Sequence, residues 1–140
     1  MIRQLVYTSR AASSVTLRDV YDIIRTAHNR NSTAGITGGL LFIDGYFIQL
    51  LEGLPSSVDE RFGRIETDSR HQDVQVRTDR MVETALFETE WMALRDGTRV
   101  ESSILEAHAY EVGLPESRFS GDEVLNFLLA CFDGERAALA

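Results

Sequence analysis

The sequence predicts an α+β protein, a ferredoxin-like β-α-β-β-α-β-β sandwich with C-terminal helices packed on the other face of the sheet. Three observations carry this. Runs with strand-like and helical apolar spacing follow one another in that order. Asp44-Gly45 between two apolar runs signals a two-residue type I′ hairpin, because both central residues need positive φ. A split βαβ order of this kind then favours one sheet with two helices on a common face.

Ile2 to Thr8 reads as the first strand. Thr16 with Asp19 three residues later forms a capping-box pattern. Leu17, Val20, Tyr21, Ile24, Ala27 and Asn31 follow with helical spacing, and Ile23 flanks the stripe. Leu40 to Ile43 and Tyr46 to Glu52 are the hairpin strands. Gly53 and Pro55 break the second of them, and Ser57 with Glu60 offers a cap for a helix carrying Val58, Phe62 and Ile65, ending near Asp68 to His71. Val74 to Val82 and Trp91 to Leu94 read as two more strands. From Glu101 the pattern is helical, and Val124, Leu125, Leu128, Leu129 and Phe132 stripe a last helix. In this topology the first and third strands are neighbours. Alternation places Leu5 and Tyr7 on one face with Phe47, Gln49 and Leu51, while Val6, Tyr46, Ile48 and Leu50 make a second apolar face. The C-terminal helices are the expected cover for it, with a dimer contact as the alternative.

The 140 residues suit one domain with a real core, and a net charge of −8 argues against binding nucleic acid through its phosphates. No run has the length of a membrane span, and the N-terminus lacks a signal-peptide core. The single cysteine, Cys131, excludes an internal disulfide and fits a reducing cytosol, so a cytoplasmic location is expected. His28, His71 and His108 lack ligand spacing, which speaks against a metal site.

Gln49 draws attention as an amide inside the apolar run Tyr46 to Leu51. An unpaired amide there costs about 1–3 kcal/mol, so it should have a partner. Tyr7 on the neighbouring strand and Asn31 at the end of the first helix can converge with it in an otherwise apolar cleft. Each could simply satisfy nearby groups; together they favour a planar ligand with a polar edge. Arg64, Asp68, Arg70 and His71 form a second cluster, and two readings stand for it. Arg64 and Asp68 have the spacing of a surface ion pair on a helix, or the cluster grips a ligand's polar rim and phosphates. Arg30 is equally open. No nucleophile-base-acid set is legible: Ser9, Ser13 and Ser14 have no histidine nearby, Glu52 is a lone strand carboxylate, and Gly38-Gly39 lacks phosphate-loop spacing. Cys131 reads as packing, and Trp91 and Met92 as edge-strand packing.

Four separated segments carry a resemblance. Leu5-Val6-Tyr7-Thr8-Ser9, then Asn31 through Gly35-Ile36-Thr37-Gly38, then Phe47 to Gly53, then Asp68-Ser69-Arg70-His71 together resemble the BLUF family, sensors of blue light using FAD. The likeness runs in register over roughly residues 1–95, which it marks as a flavin-binding domain, with 96–140 as a helical extension. It implies FAD held between the two helices, with FMN or riboflavin as alternatives. Ile23 and Ile65 would flank the ring, Asn31, Arg64 and Asp68 would bond its polar edge, and Gln49 would bridge it to Tyr7. Arg30, Leu40, Phe47, Arg70 and His71 match positions near the ring or its tail. The resemblance further implies a non-enzymatic photoreceptor in which light drives electron and proton transfer from the tyrosine and the glutamine exchanges hydrogen bonds, without a covalent flavin bond. One departure stands out. The family's last strand commonly reads Trp-x-Met, but here Glu90-Trp91-Met92 keeps Met92 in register and moves Trp91 one place, toward the opposite face unless a bulge restores it. Output is expected to pass from the last strands into the terminal helices, then to a separate downstream protein or across a homodimer. The rival readings are an acylphosphatase-type hydrolase, for which Arg10 and Asn31 would have to serve, and a dimeric binding module without a chromophore.

Overall fold

The computed structural model describes residues 1–87 and 93–139. Its order is β1 (Ile2–Ala11), α1 (Leu17–Ala34), β2 (Thr37–Ile43), β3 (Tyr46–Gly53), α2 (Pro55–Thr67), β4 (His71–Val82) and β5 (Ala93–Asp96), then a short 3-10 turn, α3 (Ser102–Ala107) and α4 (Gly121–Leu139). The sheet runs β4-β1-β3-β2-β5. β1 pairs antiparallel with both β3 and β4, and β3 pairs antiparallel with β2. Two split βαβ units therefore interleave, as in a ferredoxin-like sandwich. β5 adds parallel to β2 at the edge.

The hairpin is built as expected: Asp44 and Gly45 have φ of 50° and 79°. The Thr16–Asp19 box is also present, with Thr16 N–H donating to the Asp19 carboxylate (2.8 Å) and Asp19 N–H donating to the Thr16 hydroxyl (3.2 Å). The cap expected at Ser57 and Glu60 is not. α2 begins earlier because Pro55, whose φ suits the first helical position and whose missing N–H costs nothing there, starts it behind Leu54. Tyr21, placed on the apolar stripe of α1, is exposed instead. A cap the sequence reading passed over starts α4, where Ser120 and Glu123 exchange side chain-to-backbone bonds of 3.0 and 3.2 Å.

Side-chain alternation divides the core into two layers. Leu5, Tyr7, Leu40, Phe47 and Leu51 meet Val20 of α1 and Val58 and Ile65 of α2. On the other face Val6, Leu41, Ile43, Ile48 and Leu50 meet Val124, Phe127, Leu128, Cys131 and Phe132 of α4. The terminal helices are thus the cover of the second face. Cys131 packs there, and burial pushes its thiol up to about 12. Gly38 and Gly39 serve close approach: a Cβ on Gly38 would lie 1.8 Å from the Leu50 carbonyl oxygen, and one on Gly39 would lie 3.1 Å from the rings of Phe87 and Phe132.

A polar chain crosses this second face. The Glu52 carboxylate, 1% exposed, accepts the backbone N–H groups of Leu86 and Phe87 at 2.9–3.0 Å and the Gln4 side-chain amide at 2.9 Å. Gln4 Oε1 accepts Arg80 Nε at 2.8 Å, and Arg80 reaches Asp122 in the first turn of α4 at 3.4 Å. The carboxylate that looked solitary in the sequence holds the connection leading toward β5.

Candidate functional site

β1 and β3 place Tyr7 and Gln49 directly opposite each other. Both are buried, and the Tyr7 hydroxyl donates a hydrogen bond to Gln49 Oε1. Burial first, and the Asp68 charge second, raise the Tyr7 pKa far above its ordinary value against the opposing pull of Arg61. The phenol therefore stays a neutral donor. The rings of Phe62 and His71 flank it at 5.6 and 6.1 Å.

Gln49 also forms part of the wall of a cavity of about 150 Å³ between the two helices. Ile23, Thr26 and Arg30 line it from α1, Arg61, Arg64 and Ile65 from α2, and Asp68, Arg70 and His71 from the turn into β4. A second, outer trough of about 420 Å³ adjoins it, edged by Asn29, Ala34, Ile36, Ser57 and Glu60. Arg30, Arg61 and Arg64 line both spaces.

The turn after α2 is a local construction. Asp68 accepts the Arg70 backbone N–H (2.9 Å) and clasps its guanidinium at 2.6–3.1 Å, which holds the Asp68 carboxyl below its ordinary range. Arg64 and Asp68 are therefore not an ion pair. Asp68 leaves the helix as its C-cap, and Arg64 pairs with Glu60 at 3.2 Å. The turn delivers His71 to the head of β4, against Phe47 (4.6 Å between ring centres) and within 2.7 Å of the Ser9 hydroxyl. This corrects the expectation that Ser9 has no histidine nearby, since the fold joins residues 62 apart in sequence. The pair is no exposed nucleophile and base, because Ser9 is 1% exposed and burial lowers His71 to about 4, leaving it neutral. It fixes the imidazole ring instead.

Of the residues singled out in the sequence, Ile23, Arg30, Gln49, Arg64, Ile65, Asp68, Arg70 and His71 line the inner cavity, with Tyr7 bonded to Gln49. Leu40 and Phe47 belong to the buried core layer on the same face, Leu40 opposite Gln49 on β2 and Phe47 against His71. The Asn31 backbone is in α1, but its side chain lies outside the described residues, as do Trp91 and Met92 entirely. Arg10 faces outward in an ion pair with Asp73 at 3.0 Å. Sequence reading missed Thr26 and Arg61. Their signal was helical spacing, three residues beyond Ile23 and four before Ile65. Among the described residues no group of three or more His, Cys, Asp and Glu could hold a metal ion, and no helix is long and apolar enough to cross a membrane.

Residues 2–93 match the family model described as sensors of blue-light using FAD. The chain belongs to the BLUF family. The BLUF match extends to the β subunit of a photoactivated adenylate cyclase from Euglena gracilis, 37% identical over 87 residues, covering 62% of this chain and 10% of that protein. The chain thus spans a small part of the curated relatives it matches. Among solved structures, dark-state BlrB, a BLUF protein, superposes with a TM-score of 0.69 at 30% identity, covering 76% of this chain and 82% of that one. The photo-activated state of BlsA gives 0.79 over 92% of this chain and 93% of that one, and at 24% identity it speaks for the fold. The cofactor of the BLUF family is FAD.

Proposed function

We propose that this chain is a cytoplasmic, non-enzymatic blue-light photoreceptor that holds FAD without a covalent bond in the cleft between α1 and α2, and that Gln49 is its switch. FMN or riboflavin could occupy the same cleft. The observation that carries the reading is the hydrogen bond from buried Tyr7 to an amide that also lines the cavity.

The chemistry of the lining suits a flavin. Ile23 and Ile65 offer aliphatic contact from opposite helices, while Gln49 and Asp68 offer an amide and a carboxylate to a heterocycle edge. Arg64 joins them, Asn31 is assigned to the same edge, and Arg70 and His71 lie beside it. Bound flavin would supply the blue absorption and accept an electron and a proton drawn from Tyr7. The protein's part is to keep Tyr7 protonated and pointed at Gln49 Oε1. An amide turned end for end presents Nε2 to the Tyr7 oxygen and Oε1 to the cavity, so two satisfied orientations exist. From the switch, the signal is assigned to the last strand, with Met92 as the relay and Trp91 one register step away. It then passes to the terminal helices, which belong to the 96–140 extension, and on to a separate protein or a second copy.

The test is spectroscopic. The purified chain loaded with FAD should show a flavin spectrum that blue light moves reversibly to the red. Gln49→Leu should keep the flavin and lose the shift. A normal shift in that variant removes Gln49 as the switch, and a folded chain that takes up no flavin ends the reading.

A further inference from the structure

We propose that Arg30 and Arg61, beside the Arg64 that reads the ring's edge, form a seat for the phosphate group of a flavin nucleotide, so that this chain selects phosphorylated flavins over riboflavin. The inference rests on the flavin reading and deepens it.

Three guanidinium groups gather where the inner cavity meets the outer trough, in a chain whose net charge is −8. Like charges at such a gap repel. Arg64 has Glu60 as its partner, at 3.2 Å on the surface. Arg30 and Arg61 make no hydrogen bond or ion pair among the described residues. Arg61 is half-buried, and partial desolvation, followed by repulsion from Arg30 and Arg64, lowers its proton affinity. A group penalised twice over is relieved by an anion, and a guanidinium fork matches phosphate oxygens in pairs.

The order of groups along the cleft gives the anion its place. Gln49, Asp68 and His71 line the inner cavity and not the trough, and there a ring's polar edge would be read. The arginines stand at its junction with the trough, on the way out. A ring bound inside therefore sends its side chain toward them, and a terminal phosphate arrives beside Arg30 and Arg61, which have no partner among the described residues. The trough beyond, about 420 Å³, leaves room for whatever is esterified to that phosphate.

Titrations of the apoprotein with riboflavin, FMN and FAD at low ionic strength, read by flavin fluorescence, test this. FMN and FAD should bind about tenfold or more tighter than riboflavin, as expected for one or two charge-assisted bonds, and added salt should shrink the ratio. Arg61→Gln should bring the ratio of FMN to riboflavin affinity toward one, and Arg61→Lys should restore part of it. Riboflavin binding as tightly as FMN overturns the phosphate seat while leaving the flavin site intact, as does a ratio unchanged in Arg61→Gln. Failure of all three flavins to bind a folded chain overturns the flavin reading itself.

Discussion

Glu52→Gln is the sharpest probe of the polar chain beneath α4. The carboxylate accepts from Leu86 N–H, Phe87 N–H and the Gln4 amide. An amide at position 52 can keep its oxygen toward the two backbone donors, but its NH₂ then faces the Gln4 NH₂. Gln4 cannot turn over to relieve the clash, because its oxygen is held by Arg80 Nε at 2.8 Å. One charge-assisted bond is lost and a buried donor stays unmatched, a loss of about 3 kcal/mol. With an unfolding entropy of about 2.1 cal/mol/K per residue, a chain of this length should melt about 10 °C lower, measured by calorimetry or circular dichroism. The double change Gln4→Glu with Glu52→Gln offers the decisive comparison. It sets a carboxylate against Arg80 and lets the new amide accept from the backbone while donating to that carboxylate. Every polar atom regains a partner, so most of the lost stability should return. A single variant within about 0.5 kcal/mol of wild type, or a double variant no better than the single, would refute this account of the chain.

His71 titrates near 4 when folded and near 6.5 when unfolded, so below pH 6.5 the unfolded chain binds the extra proton and stability falls, reaching a loss of about 3 kcal/mol once the pH is below 4. Urea melts from pH 7 to 4 should show this slope, and His71→Gln, which can still bond Ser9, should flatten it; an equal slope in the variant rules out His71 as its source. Gly121→Ala would put a Cβ 2.0 Å from the Arg77 carbonyl oxygen, so the start of α4 must shift, at about 2 kcal/mol, and Cys131 should react faster with thiol reagents. An unchanged labelling rate would show that α4 docks without that close approach.

Much of the architecture was legible because its signals are local. Asp44-Gly45 specifies a hairpin by backbone conformation alone, and alternation along β1 and β3 was enough to bring Tyr7 to Gln49. What escaped depends on three-dimensional neighbours. Asp68 and Arg64 have helix-pair spacing, but the helix ends first and a turn two residues long gives Asp68 to Arg70. Ser9 meets His71 only because β4 crosses beside β1. Glu52 found its partners in a connection without any periodic pattern. Arg61 drew no attention in the sequence, since its place on the cavity wall is set only by the fold.

The roof over the second face of the sheet has a consequence for portability. Val6, Ile43, Ile48 and Leu50 are apolar on that side and are sealed by Phe127, Leu128 and Phe132. The strands that carry Tyr7 and Gln49 on one side thus need a tenant on the other. Cutting the chain after β5 would not release a self-sufficient light-sensing module; it would bare a sticky plane that seeks another surface. Any longer protein that keeps these strand residues must bring its own roof, and a transplanted version must carry α4 along or provide a substitute of matching shape. The interchangeable part is the roof, and designers who wish to redirect the output should begin there.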